Sequence, residues 1–269
     1  MLPIGCQTYT WEMLGKKWTG KVDDMLSAIT ESGYEGVEIT NTMIGEYAGG
    51  PDEFKEGLIV RGLRLAAFAY ASPLGFTEPA NRDRELQGAE EALRFLARFP
   101  GTPLMLGGPS TPVRERVAEK IGHAAEFYNE VGRRAKSAGV EVAFHPHSHH
   151  GSILESREEY EQIMELTDPT LVQWNPDTGH IVRGGQNLLE TLRHFRSRIR
   201  HLHLKDVDAD HRWQPLGQGV CGISAVLKFL EQETEFSGWI VAEEESDSAV
   251  DDPHRAIARN REYLKSIGY

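Results

Sequence analysis

The sequence predicts a single α/β domain, a closed (β/α)8 barrel spanning residues 1–269. Three observations carry the prediction. Short apolar runs of strand length alternate with longer amphipathic stretches along the whole chain. Strand-then-helix alternation implies parallel neighbours, because a parallel pair needs a crossover. Eight such units average about 34 residues each, the size expected of a closed eight-stranded barrel. The runner-up, an open doubly wound sheet, wants a G-x-G-x-x-G after its first strand, and none stands there. GGPS at 107–110 and GQGVCG at 217–222 read as turns.

The first strand is expected near 3–9. A helix over 22–33 follows, with Val22, Met25, Leu26 and Ile29 recurring at three and four residues. Gly33 stands between it and the second strand, near 36–40, and Gly62 precedes the third, near 63–70. A helix at 87–98 sets Leu93, Phe95 and Leu96 among Glu90, Glu91, Arg94 and Arg98, and the fourth strand lies near 103–107. The long segment 112–138 carries Val113, Val117, Ile121, Ala124, Ala125 and Val131 on one face. Through Gly139 it leads to the fifth strand, near 140–145. Strands six to eight are expected near 171–176, 200–204 and 239–243, the last after Gly238. Helices are expected at 156–166, 186–197, 222–235 and 252–266, the last opened by Asp251 and Asp252.

Composition excludes several function classes. The net charge of −12, from 29 basic and 41 acidic residues, argues against a nucleic-acid surface. Cys6 and Cys221 alone make no disulfide framework, which favours a reducing compartment. No run approaches the roughly 18 to 20 apolar residues of a membrane span, and the N-terminus lacks a signal peptide's pattern. A cytoplasmic protein with a small-molecule partner is the expectation.

The chemistry concentrates in the second half. VEVAF is followed by His145, Pro146 and His147; LVQWNP by Asp177 and His180. IRHLHLKD carries His201, His203, Lys205 and Asp206, and WIVA precedes Glu243, Glu244 and Glu245. In a barrel these strand ends share one mouth. A metal taking one residue per strand would have two imidazoles and two carboxylates, from His145, Asp177, His203 and Glu243, with His147 the alternative on strand five. That mixed, fairly hard set suits Mn2+, Co2+, Zn2+ or Mg2+ better than Ca2+. His149 and His150 read as loop residues, and His201 lies deeper on the face of His203.

D-T-G-H at 177–180, H-L-H-L-K-D at 201–206, G-W-x-V-x-E at 238–243 and SGYEGVEI at 32–39 resemble the xylose-isomerase-like superfamily of sugar isomerases, epimerases and related dehydratases. The resemblance covers essentially the whole chain. It implies a TIM barrel and one divalent metal held by Glu, Asp, His and Glu, which here selects Asp177, His203 and Glu243. The fifth strand departs from that pattern. His145, in FHPHSHHG, stands where most members have the first Glu of an E-x-H motif, and this text is similar to the inosose dehydratase branch. The change removes one of two opposed carboxylate bases, favouring elimination or one-sided enolisation.

The chemistry so implied is proton abstraction next to a carbonyl, through an enediolate that the metal stabilises. Glu243 would be ligand and base, His180 an acid or hydroxyl contact, His147 a substrate or supporting contact, and Lys205 an oxyanion partner. Asp206 would orient His203 or Lys205 at the substrate. Glu38 and Gln7 point to the same mouth, and Trp11, Phe68 and Tyr70 are expected to wall it. Three functions follow: a sugar or keto-polyol isomerase or epimerase; a lyase dehydrating a keto-inositol or 3-keto-sugar; and a metal-dependent endonuclease, which the charge disfavours. A phosphorylated substrate would call on Arg183 or Arg212. Self-association is a further expectation from the family.

Overall fold

The computed structural model describes residues 2–149 and 151–269, so His150 lies outside the described residues. Eight parallel strands build the central sheet. They are β1 (Ile4–Gln7), β2 (Gly36–Thr40), β3 (Arg64–Tyr70), β4 (Leu104–Gly107), β5 (Val142–His145), β6 (Gln173–Trp174), β7 (Leu202–Leu204) and, after a small hairpin, β10 (Ile240–Ala242). Their order is β6-β5-β4-β3-β2-β1-β10-β7. Parallel bridges Trp174–Ile199 and Asp177–His203 join the two outer strands, β6 and β7, and curl the sheet into a barrel. The helices are α1 (Tyr9–Glu12), α2 (Val22–Ser32), α3 (Pro51–Ile59), α4 (Arg82–Leu96), α5 (Val117–Ser137), α6 (Arg157–Leu166), α7 (Thr178–Arg183), α8 (Leu188–His194), α9 (Ile223–Glu233), α10 (Asp247–Asp251) and α11 (Pro253–Ser266). The hairpin, β8 (Asp206–Val207) with β9 (Trp213–Gln214), stands just beyond the end of β7.

The eight strands lie where the apolar runs put them. The short helices α1, α7 and α10 and the β8–β9 hairpin are additions to the expected elements, and four further details differ. Helix α3 is absent from the expected elements, because only Phe54 and Leu58 of its nine residues are buried. Helix α5 begins at Val117, since Arg116 takes a left-handed φ of 52°, and Val113 is left 55% exposed. The stretch 186–197 is split into α8 and a 3-10 turn at Arg196–Arg198. Strand β6 shrinks to two residues, Pro176 following it closely.

Alternation sorts each strand between two environments. Phe68, Leu106, Phe144, Trp174 and Leu204 belong to the large apolar layer under the helices. On the inner side Ala67, Met105 and Ala143 form a separate small cluster packed by Ala69. Alanines on β3 and β5 leave room inside the barrel beside Glu38, His201 and His203, each 1% exposed. Among the described residues no helix is long and apolar enough to cross a membrane.

Trp174 shows how the outer layer is held. It is fully buried, with its ring edge-on to Tyr160 at 5.8 Å and to Phe195 at 5.6 Å. Trp174→Ala should cost about 3–5 kcal/mol in urea unfolding; a loss under about 1 kcal/mol would contradict this packing.

Candidate functional site

Strand geometry delivers the chemistry to one point. His201, His203 and Lys205 alternate with Leu202 and Leu204 along and beside β7, so all three basic groups face inward. His145 is the last residue of β5, and Glu243 follows β10. Asp177 is the N-cap of α7, its Oδ1 accepting the His180 backbone N–H at 2.7 Å. Ligand atoms of His145, Asp177, His203 and Glu243 all lie within 4.8 Å of one another, and all four residues are buried.

The donor set fits a divalent ion. His145 Nε2 and Asp177 Oδ2 are buried with no hydrogen-bond partner. Orphaning an imidazole lone pair and a carboxylate oxygen in an interior costs free energy that a shared cation would recover. His203 is prepared from behind: its Nε2 lies 3.0 Å from both oxygens of Glu38, and its Nδ1 lies 2.7 Å from Glu243 Oε2. A carboxylate gripping one ring nitrogen leaves the other aimed at the site, the usual support of a metal-bound histidine. Glu38 is itself held by Gln7 Nε2 at 2.8 Å and His201 Nε2 at 2.7 Å.

These contacts move proton affinities. Burial disfavours the Glu38 carboxylate, but His203 and His201 outweigh it and hold the acid down at about 2. Burial likewise opposes the His203 imidazolium, yet Glu38 and Glu243 raise it to about 10. His145 falls well below the ordinary value through burial and its neighbours His203 and His147, so the ring is neutral. Burial lifts Asp177 to about 6 against the pull of Lys205, with Glu243 adding to the rise. Glu245 rises to about 7 through burial, again opposed by Lys205 and helped by Glu243.

Lys205 is the hub of the proton-bearing groups. Its Nζ donates to Glu243 Oε1 at 2.8 Å, pairs closely with Glu245 Oε1, and lies 3.1 Å from His180 Nε2. The indole of Trp213 covers the ammonium at 4.7 Å. His180 Nδ1 accepts the backbone N–H of Ser148 at 3.1 Å. The Ser148 N–H and the Lys205 ammonium both only donate, so donors face the two ring nitrogens, and Ser148 Oγ, 2.9 Å from Nδ1, is the group there able to accept a ring proton.

A cavity of about 180 Å³ opens over this cluster, lined by Tyr9, Ser72, Phe76, His147, His149 and Glu245 among others. A second lobe of about 100 Å³ reaches inward past Gln7, Glu12, Thr40, Tyr70 and His145. His147 and Glu243 line both. Together the two lobes fall just short of the roughly 300–1,000 Å³ of drug-sized pockets, which suits a single sugar or polyol ring.

Several expected residues take other places. Trp11 is 1% exposed, packs against Trp18 at 6.2 Å and lines neither lobe, so it is core rather than pocket wall. Phe68 stacks on Phe95 at 4.8 Å in the outer layer. Asp206 does not face the substrate space, nor does it touch His203 or Lys205 through its carboxylate. That group accepts the N–H groups of Val207, Gly217, Gly219 and Cys221 and folds the 215–221 loop onto the hairpin. Glu38 and Gln7 border the inner lobe, but both Glu38 oxygens are engaged within the protein. Tyr70 keeps its place in the wall, its hydroxyl donating to the Glu85 carbonyl at 3.0 Å. His201 braces Glu38, and Glu244 turns away to Asn260 and Ser246. Tyr9, Glu12 and Trp213 join the site without being expected there. The first two follow strand one, where position at the barrel mouth is a usable signal; Trp213 sits in an inserted hairpin that no motif announces.

Residues 26–267 match the model of the family described as Xylose isomerase-like TIM barrel. An inosose dehydratase of Clostridium beijerinckii is 26% identical over 98% of this chain and 94% of its own length. Among solved structures, the IOLI protein with a bound zinc atom has a TM-score of 0.82 at 17% identity, covering 99% of this chain and 98% of that one. The 3-keto-D-glucoside 4-epimerase of E. coli has a TM-score of 0.78 at 18% identity, covering 99% and 100%.

The site also predicts how the metal-free protein responds to pH. The folded state favours the His203 imidazolium, so its stabilisation is complete below the ordinary 6.5 and disappears as pH rises through about 10. The melting temperature of EDTA-treated protein should therefore fall between about pH 7.5 and 9.5, and His203→Gln should flatten that fall. An equal slope in the two proteins would contradict the assignment.

Proposed function

We propose, from the premise that this chain belongs to the xylose isomerase-like TIM barrel family, that it is a lyase removing water from a cyclic polyhydroxy ketone of the keto-inositol or 3-keto-sugar class. The protein is an enzyme of the isomerase, epimerase or lyase type. One observation carries the finer reading. Across from Glu243 and Glu245, the fifth strand presents His145 and His147 in place of a second carboxylate. Inverting a carbon centre wants a base on each face, whereas elimination wants one base and one acid. The inosose dehydratase relative supports the same choice.

A divalent ion held by His145, Asp177, His203 and Glu243 would supply the Lewis acidity that loosens the C–H beside the ketone. The chain's own groups handle the protons. Both oxygens of Glu243 are engaged, one by His203 and one by Lys205, which leaves Glu245 as the base. Its carboxyl, raised to about 7, is poised to take the α proton near neutral pH. Lys205 Nζ steadies that carboxylate before the transfer. The Lys205 ammonium, oriented by His180 Nε2, gives a proton to the departing β hydroxyl, which leaves as water. The α C–H and β C–O bonds break, a C=C bond forms, and an enol bearing the α hydroxyl relaxes to a 1,2-dione. His147, bordering both lobes, orients the ring. Trp213 keeps solvent from the ammonium.

Manganese-loaded protein incubated with 2-keto-myo-inositol in D2O should lose water and gain ultraviolet absorbance; deuterium exchange at carbon without elimination would sink the lyase. Asp177→Ala and His203→Ala should each lower metal affinity at least tenfold, read by metal analysis, and full metal content in both would refute the proposed ligands. Glu245→Gln should keep its metal and lose at least about 100-fold in kcat.

A further inference from the structure

The inner lobe has a chemistry of its own. Glu12 sits on its border, on the last residue of α1, with each carboxylate oxygen fixed by one hydroxyl: Thr40 Oγ1 at 2.8 Å and Thr42 Oγ1 at 2.7 Å. Those two hydroxyls also lie 2.7 Å apart, so the carboxylate is braced rather than swinging. An ionised carboxylate has about four acceptor positions, and two remain for incoming O–H groups. His145, one of the four convergent ligands, borders the same lobe, so a ring seated against Glu12 reaches the ligand cluster.

Charge points the same way. Among the described residues lining the two lobes there is no arginine or lysine, while Glu12, Glu38, Glu243 and Glu245 are present. Lys205, the buried ammonium nearby, is already taken by Glu243 and Glu245. The arginines expected to meet a phosphate are elsewhere. Arg183 lies over the Trp213 ring at 4.4 Å, and Arg212 pairs with Asp208 and Asp210 on an exposed hairpin. An anionic substituent in the lobe would meet carboxylates with no compensating cation, whereas hydroxyls find charged acceptors.

We infer that the inner lobe is a subsite for adjacent hydroxyls of an uncharged polyol, and that Glu12 makes the enzyme reject substrates carrying phosphate or carboxylate at that end. The inference rests on the site reading given above, since it takes the cavity over the ligand cluster to be the substrate's.

The test is competition calorimetry against 2-keto-myo-inositol, using myo-inositol and myo-inositol 1-phosphate as probes. Manganese-loaded and EDTA-treated wild-type protein are compared, so that attraction between phosphate and metal is separated from the lobe itself. In EDTA-treated protein the phosphate ester should bind at least about tenfold more weakly than myo-inositol. Glu12→Gln should weaken myo-inositol about tenfold and narrow the gap between the two probes. Thr42→Val, which removes one brace at an exposed position, should do the same to a smaller extent. Equal or tighter binding of the phosphate ester to EDTA-treated wild-type protein overturns the inference. So does a folded Glu12→Gln protein with unchanged polyol affinity. If 2-keto-myo-inositol binds with the expected preference and is not dehydrated, the lyase reading fails and the subsite stands. If it is dehydrated while the phosphate ester is preferred, the subsite fails and the lyase reading stands.

Discussion

The Glu38 carboxylate is the constraint on which the site depends. It is 1% exposed and takes hydrogen bonds from Gln7, His201 and His203, so it ties the ends of β1, β2 and β7 across the barrel interior. A buried carboxylate is tolerable only when its oxygens are satisfied. Here the donors that satisfy it also fix which nitrogen of His203 looks into the site. Small residues, Ala67 and Ala69 on the adjacent β3 and Ala143 on β5, are the complementary condition, because larger ones would fill the space these polar groups occupy.

Charge in the interior is arranged rather than merely tolerated. Glu38, Asp177, Glu243 and Glu245 are set against Lys205 and the His203 imidazolium, an excess of negative charge. Burial lifts Asp177 and Glu245 to about 6 and 7, with Glu243 adding to the rise and Lys205 opposing it only in part. A divalent cation at the four convergent ligands would relieve the same excess. It would also let His203 serve as a neutral donor.

Much of this is legible in the sequence, and the reasons are local. Inward residues on β7 follow from strict alternation, so spacing alone puts His201, His203 and Lys205 on one face. Asp177 and His180 are recognisable because an acid three residues before a helical histidine is also an N-cap. What the sequence hides are properties that depend on the partner chosen. Asp206 belongs to the motif that carries Lys205, but its carboxylate is claimed by loop amides eleven to fifteen residues on. Trp11 looks like a sugar platform beside the mouth, and burial against Trp18 settles it as core. Helix α3 stays hidden because two buried side chains among acids leave almost no periodic signal.

His180 is wedged between a backbone N–H from Ser148 on one side and the Lys205 ammonium on the other, two groups that give hydrogen bonds and never take them. The group beside the ring able to take its proton is Ser148 Oγ, 2.9 Å from Nδ1. Residue 148 is therefore not a silent loop position. An alanine there would keep the main-chain contact and leave the neutral imidazole with no place at Nδ1 to set its N–H.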